Sequence, residues 1–171
     1  MPVTLTEIFN FFFQVGARLI PFLCVLAPDR QTDVFGRFHL PSSGKLAAIK
    51  LVHLYGYVAC AAPHPEYWSY WGCAHNPLTK NQINVVITNA HNLIILPPNQ
   101  LKVTGWLAAG KWYHDVGYSS VSPELVLSVF SDPRHVSSGQ EFRVWYGEDL
   151  VNFHEQDNGG KVCSDVYALY V

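Results

Sequence analysis

The sequence predicts an all-β fold, an antiparallel β-sandwich or jelly roll of seven to eight strands. Three observations predict it. The 171 residues include five Trp, nine Tyr and ten Phe but a single Met, a mixture that favours sheets over helices. Short runs of β-favouring residues recur along the chain, divided by Gly, Pro, Asn and Asp. Between these runs the sequence has no amphipathic helix long enough to connect parallel strands.

Seven strands follow from alternation and from turn residues. In chain order they cover residues 45–57, 84–88, 93–96, 101–107, 124–130, 141–146 and 162–171. Side chains of a strand alternate between its two faces, so we expect Phe142, Val144 and Tyr146 to share one face. Residues 89–92 and 131–134 carry turn residues and predict reversals of the chain.

Composition and charge exclude several classes of protein. Apolar residues make up 49% of the chain and charged residues 14%, which allows a large core and argues against disorder. The formal net charge is −2, and no run of Lys and Arg is present, which argues against nucleic-acid binding. The sequence lacks the G-x-S-x-G, H-E-x-x-H and Gly-rich phosphate-loop motifs, so we predict that the protein is not an enzyme.

The first 35 residues differ from the remainder, which predicts a single sandwich domain over residues 36–171. Residues 8–27 are strongly apolar, but Arg18 and Pro21 interrupt them. Such a segment is either a secretory leader or membrane anchor, or an arm packed on the domain. Only an anchor would place the protein at a membrane.

The cysteines bear on the cellular compartment. Cys60 and Cys73 flank a loop without strand periodicity, and we predict a disulfide that closes it; the alternative is two buried thiols. In the chain-entropy view such a bond stabilises the fold by about 3 kcal/mol. Because disulfides need an oxidising compartment, the protein is predicted to be extracellular. Without residues 1–35, Cys163 would be a buried thiol or the partner of a cysteine in another chain.

The loop between Cys60 and Cys73 is the candidate ligand site. Four large aromatic side chains fall within five of its residues: Tyr67, Trp68, Tyr70 and Trp71. Exposed rings stack well on sugar faces, and nearby polar groups would orient the sugar: His64, His75 and Asn76. The alternative is that the rings close one end of the sandwich. A second aromatic group is expected at the same or the opposite end: Trp106, Trp112, Tyr113 and Tyr118.

The acidic and amide-rich residues 147–160 are a candidate calcium site. Calcium prefers carboxylate and carbonyl oxygens, and the predicted ligands here are Glu148, Asp149, Asp157 and Asn158. Asp165 joins this set because a lone carboxylate within an apolar strand needs a partner or a metal. The alternative is a solvated polar loop. The eight histidines show no zinc-site spacing.

The end of the chain resembles a known family. Residues 137–147 (SSGQEFRVWYG) and 162–167 (VCSDVY) resemble the closing strands of extracellular jelly-roll modules of the galactose-binding-like superfamily, which includes discoidin-type and F-type lectin domains. They are also similar to secreted modules of cnidarians. The resemblance implies binding of sugars or cell-surface ligands, and a structural calcium with Asp165 as a ligand. The His and paired-Arg sugar motif of F-type lectins is absent from the sequence.

These features predict an extracellular carbohydrate-binding module that uses aromatic stacking and a structural calcium. The alternative is a structural or adhesion module of the extracellular matrix. Such a module would bind protein partners through an apolar surface or an unpaired edge strand.

Overall fold

The computed structural model describes residues 17–27, 33–98 and 104–171, with the backbone alone at residues 21 and 22. Nine strands lie in this part of the chain: β1 (Arg18–Leu26), β2 (Gly36–His39), β3 (Gly44–Ala59), β4 (Val85–Asn89), β5 (Ile94–Leu96), β6 (Glu124–Ser128), β7 (Arg134–Val136), β8 (Glu141–Tyr146) and β9 (Gly159–Tyr170). Short helices occupy some connections: 3₁₀ turns η1 (Pro65–Tyr67) and η2 (Glu155–Asp157), and α-helical turns α1 (Trp106–Ala109) and α2 (Gly147–Leu150).

The strands form two antiparallel sheets. The first sheet has the order β1-β9-β3-β6, with β7 also paired to β3, and the second has the order β2-β8-β4-β5. With the short β7 set aside, most connections cross from one sheet to the other, as in a jelly roll. The predicted fold class, an all-β antiparallel sandwich, is confirmed.

The core lies between the two sheets because each strand buries one face. In β8, Phe142, Val144 and Tyr146 are at most 1% exposed, as their alternation predicts. Ile49 and Leu51 of β3 are fully buried on the facing sheet. Each such side chain stabilises the fold by roughly 1.5–3 kcal/mol through the apolar area it removes from water.

One predicted strand is wrong, and three were missed. Residues 101–103 of the strand predicted at 101–107 lie outside the described residues, and Trp106 and Leu107 begin α1 instead. Gly105 has φ 65°, a conformation that glycine adopts without strain, and it turns the chain into α1. The strands β2 and β7 are too short for alternation to reveal them, and β1 lacks alternation.

The strand β1 is an edge strand of the first sheet and pairs antiparallel with β9. Cys24 and Cys163 are direct partners in this register and form a disulfide, so Cys163 is not a free thiol. Residues 18–26 therefore pack in the domain, and the boundary predicted at residue 36 does not separate them from it. The rest of the predicted leader, residues 8–16, lies outside the described residues. Among those described, no helix is long and apolar enough to cross a membrane.

The two ends of the sandwich differ in their connections. Short connections meet at one end, called the turn end here: residues 40–43, 90–93, 129–133 and 137–140. Longer ones meet at the other end, called the loop end; their described residues are 27, 33–35, 60–84, 97–98, 104–123 and 147–158. The pairing of Ala59 with Gly159 marks the loop end, and that of Gly44 with Val136 marks the turn end.

Candidate functional site

The loop end encloses three buried carboxyl groups. Glu148 and Asp149 of α2 are 2% and 0% exposed, and Glu155 of η2 is 0% exposed. The first two turn inward because Asn84 anchors the start of α2. Its side-chain oxygen accepts from the Glu148 amide at 3.0 Å, and its carbonyl accepts from the Gly147 amide at 2.7 Å.

Glu148 is held by two side-chain donors. Trp112 Nε1 donates to Oε1 at 2.9 Å. The Asn158 amide, with its nitrogen turned inward, donates to Oε2 at 3.0 Å and to the Cys60 carbonyl at 3.1 Å. Burial outweighs these bonds and raises the pKa of Glu148 to about 8. At neutral pH this side chain is therefore mostly a neutral acid.

Asp149 and Glu155 are less well satisfied. Val34 N donates to Asp149 Oδ2 at 3.0 Å, but Asp149 Oδ1 and both Glu155 oxygens are buried without a hydrogen-bond partner among the described residues other than each other. Burial raises the pKa of both groups, and with the nearby Glu155 and Asp33 charges it brings the pKa of Asp149 to about 7. A hydrogen bond between the two carboxyls adds to the rise at Asp149 and lowers the pKa of Glu155. Buried carboxylates without a partner are costly, so this pair favours a proton or a cation.

The structure divides the predicted calcium ligands. Glu148, Asp149 and Asn158 lie in the loop-end group together with Glu155, another oxygen donor of the candidate segment 147–160. The Asp157 side chain is exposed. Asp165 lies within β9 opposite Val52, on the outer face of the first sheet, and does not join them. No group of three or more His, Cys, Asp and Glu side chains in the described chain has an arrangement that would hold a metal ion.

The predicted disulfide Cys60–Cys73 is present, and its loop meets the carboxyl segment. Ala62 N donates to the Asp157 carbonyl at 2.7 Å, and its own carbonyl accepts from Trp68 Nε1 at 3.3 Å. A Cβ at Gly160 would lie 2.5 Å from the Trp68 ring, so a glycine is needed there. The two segments that the sequence singled out, the aromatic loop and the acidic loop, are therefore neighbours.

The polar and aromatic side chains of the disulfide loop differ in exposure. Trp71 is 0% exposed and donates Nε1 to the Ser122 carbonyl at 2.7 Å, so the prediction that it stacks on a ligand is wrong. Asn76 is also structural, because its amide nitrogen lies 3.3 Å from Cys60 Sγ and its oxygen accepts from the Leu78 amide at 2.8 Å.

The other predicted ligand-binding side chains are more accessible. Tyr67, Trp68 and Tyr70 are half-buried, and His64 and His75 are exposed. None of these observations tests ligand binding, which stays a prediction for these five residues.

Tyr70 belongs to a ring cluster that the sequence did not reveal. It stacks on His53, with ring centroids 3.7 Å apart, and Tyr57 lies 5.6 Å from it. His53 and Tyr57 come from the far end of β3, and Tyr57 is 51% exposed. Because β3 is separated from the disulfide loop in sequence, only the fold brings these rings together.

A second exposed aromatic group lies beside the buried carboxyls. Trp106 is 41% exposed, and its ring centroid lies 5.7 Å from those of Phe153 and His154. These three residues are called the aromatic platform below. Phe153 N donates to the Glu148 carbonyl at 2.9 Å, which ties the platform to α2. Of the second aromatic group that the sequence singled out, Trp112 and Tyr113 are instead buried.

Comparison with solved structures gives a family. The chain is similar to AJLec, a lectin from the sea anemone Anthopleura japonica, with 34% sequence identity and a TM-score of 0.79. The match covers 91% of this chain and 98% of AJLec. This chain belongs to the AJLec family. Its relation to AJLec confirms the expected likeness to a cnidarian lectin-like fold, whereas assignment to the galactose-binding-like superfamily stays a prediction. No protein-family model and no curated protein matches the chain.

Proposed function

We propose that this member of the AJLec family is an extracellular carbohydrate-binding module with its sugar site at the loop end. One observation carries the proposal: Phe153 and His154 of the exposed aromatic platform immediately precede Glu155, whose buried oxygens have no hydrogen-bond partner among the described residues other than the Asp149 carboxyl. Its relative AJLec is a lectin. The two disulfides of this chain are typical of proteins that mature in an oxidising compartment.

The platform supplies the apolar part of sugar recognition. The half-exposed indole of Trp106 offers a flat face on which the CH groups of a sugar ring can pack. His154, exposed at the edge of the platform, offers a ring nitrogen to a sugar hydroxyl. The Tyr57 and Tyr70 rings form a second apolar surface at the same end, suited to further residues of a longer saccharide.

The buried carboxyl groups of Asp149 and Glu155 supply a site for a structural calcium ion. Among the described residues, no N–H or hydroxyl group donates to three of their four oxygens, and buried carboxylate oxygens of this kind suit a hard dication. Carbonyl oxygens and water would complete the six to eight ligands that calcium takes. The ion would compensate the buried charge and order the connection between β8 and β9, which carries Phe153 and His154.

A glycan microarray probed with the full chain, in calcium and in EDTA, tests this function. We expect binding in calcium that Trp106→Ala weakens about fivefold, since the loss of a stacked ring costs about 1 kcal/mol. The matched control is Leu93→Ala, which removes an exposed apolar side chain at the turn end. A folded wild type that binds no glycan, or equal losses in the two variants, would contradict the proposal.

A protein-binding adhesion module is the second candidate, favoured by apolar side chains on the outer face of the first sheet. Leu19 of β1 and Tyr55 of β3 are 57% and 54% exposed, and their partners in β9 are Tyr167 and Cys163. Exposed apolar strips often mark protein interfaces. Adhesion to cells that is lost in Tyr55→Ser but persists in Trp106→Ala would favour this function.

A further inference from the structure

The outer face of the second sheet carries a basic group that no run of the sequence reveals. Arg37 of β2 and Arg143 of β8 are direct cross-strand partners, and His39 lies two residues further along β2. Like charges directly opposite each other destabilise an antiparallel pair. Packing alone therefore gives no reason for two arginines at these paired positions.

Within residues 17–27, 33–98 and 104–171, one carboxylate neutralises part of this charge. Glu141 Oε1 accepts from Arg143 Nε at 2.7 Å, and its Oε2 lies 3.4 Å from Arg37 Nε and 3.9 Å from His39 Nε2. The adjacent β4 and its hairpin contribute neutral groups to this face, Thr88 opposite Arg143 and Asn92, whose Oδ1 accepts from Arg143 Nη1 at 2.7 Å. Two guanidinium groups thus share one acid, in a chain of formal charge −2.

An aromatic side chain fixes the arrangement. The Arg143 guanidinium lies 4.4 Å and that of Arg37 lies 5.4 Å from the centroid of the Phe35 ring, which packs on Trp145 at 4.7 Å. Arg143 is therefore held in place, with its side chain 17% exposed. The Arg37 and His39 side chains are 53% and 56% exposed and accessible to a ligand.

We propose that Arg37, His39 and Arg143 form a site for the sulfate esters of a sulfated glycan. A guanidinium pairs its planar N–H groups with two oxygens of a tetrahedral anion, and its stacking on Phe35 orients it before binding. The cations lie on an open strand surface, with Arg37 and His39 about 7 Å apart along β2. This row suits successive sulfates of a polymer better than one enclosed anion.

The sulfate site extends the proposed function to a second, charged class of glycan, although none of its three cationic residues lies in a loop-end connection. The measurement is binding of the full chain to immobilised heparin, with chemically desulfated heparin as the comparison. We expect Arg37→Gln to weaken heparin binding at least fivefold and Arg37→Lys to weaken it less, because Lys keeps the charge but loses the planar fork. Binding should also fall steeply with added salt.

The control Lys45→Gln removes the same formal charge from an exposed position on β3, in the other sheet. It should change heparin affinity less than twofold. Equal losses in Arg37→Gln and Lys45→Gln, equal binding of desulfated heparin, or no heparin binding at all would overturn the sulfate site.

Testing Arg37→Gln and Trp106→Ala on both kinds of ligand separates this site from the sugar site at the loop end. Arg37→Gln should leave binding to neutral glycans unchanged, and Trp106→Ala should leave heparin binding unchanged. If no neutral glycan binds but heparin binding that depends on Arg37 persists, the result supports the sulfate site and contradicts the proposed sugar site at the loop end. If Trp106→Ala weakens heparin binding as much as Arg37→Gln does, the sulfate site on the second sheet is wrong.

Discussion

The two ends of the sandwich satisfy their polar groups in different ways. At the turn end, connections close with local bonds: Gly139 N donates to the Leu40 carbonyl at 2.8 Å, and Ser138 N donates to Ser43 Oγ at 2.8 Å. At the loop end, Asp149 and Glu155 have buried oxygens to which no N–H or hydroxyl group of the described chain donates. Unpaired buried acids lower stability, so the loop end retains groups that stability alone does not explain. The contrast is the basis of the proposal that the loop end binds the ligand while the turn end closes the fold.

The largest difference is expected between the contributions of the two disulfides to the free energy of unfolding, because one spans the whole domain and the other spans the loop end alone. Cys24 and Cys163 are separated by 139 residues, and Cys60 and Cys73 by 13. In the chain-entropy view, Cys24→Ser with Cys163→Ser should lower the free energy of unfolding by about 5 kcal/mol, and Cys60→Ser with Cys73→Ser by about 3 kcal/mol. Urea denaturation under non-reducing conditions measures both. The reverse order would indicate that β1 contributes little to the fold.

The buried acids should make stability fall as pH rises. The folded pKa of Glu148 is raised to about 8, above that of a solvated glutamate, so the folded state binds more protons in the interval between them. In calcium-free buffer, the free energy of unfolding should fall between about pH 4.5 and pH 8, by up to about 1.4 kcal/mol per pH unit.

Glu148→Gln should flatten this profile, because the amide does not titrate. Asp132→Asn, an exposed carboxyl at the turn end, controls for the loss of a charge. A profile equally steep in Glu148→Gln would show that the loop-end acid does not cause the pH dependence.

Calcium should stabilise the loop end and leave the turn end as it is. At a concentration one hundred times its Kd, the ion would add about 2.7 kcal/mol, which raises Tm by about 5–10 °C for a domain of this size. Asp149→Asn and Glu155→Gln should remove the shift measured by scanning calorimetry. A shift of full size in both variants would place the ion elsewhere, and its absence in the wild type would contradict the calcium proposal.

The smallest change in stability is expected for a substitution at the turn end. Ser43→Ala removes the acceptor of the exposed Ser138 amide, which water can replace, so the free energy of unfolding should change by about 0.5 kcal/mol. Glycan and heparin binding should not change. A loss of binding in this variant would mean that the turn end also contacts a ligand.

The sequence predicts the central strands and misses the edges, for physical reasons. The strands β8 and β9 expose one face in part, and their alternation is visible along the chain, whereas β4 is a short apolar run of β-branched residues buried on both faces. The strand β1 has a continuous apolar run with Pro21, a pattern shared by leaders and edge strands. Whether such a run joins a sheet depends on its partner β9, which lies at the other end of the chain.

The candidate site was predictable only where its parts are local in sequence. Cys60 and Cys73 flank one loop, so their spacing predicts the bond. Trp71 is chemically like Trp68, yet it is buried because its backbone joins the core, as the bond from Asn84 N to its carbonyl shows. The pairing of Arg37 with Arg143 depends on strand register between distant segments, which composition and spacing do not encode.

The most direct test of the central claim is amide hydrogen exchange of the full chain with and without a glycan identified on the array, in calcium. We predict that the glycan slows exchange at the loop end, in residues 104–118 and 147–158. The turn-end residues 40–43 and 137–140 should exchange at the same rate in both states. Protection confined to the turn end or to the outer face of either sheet would contradict a loop-end sugar site.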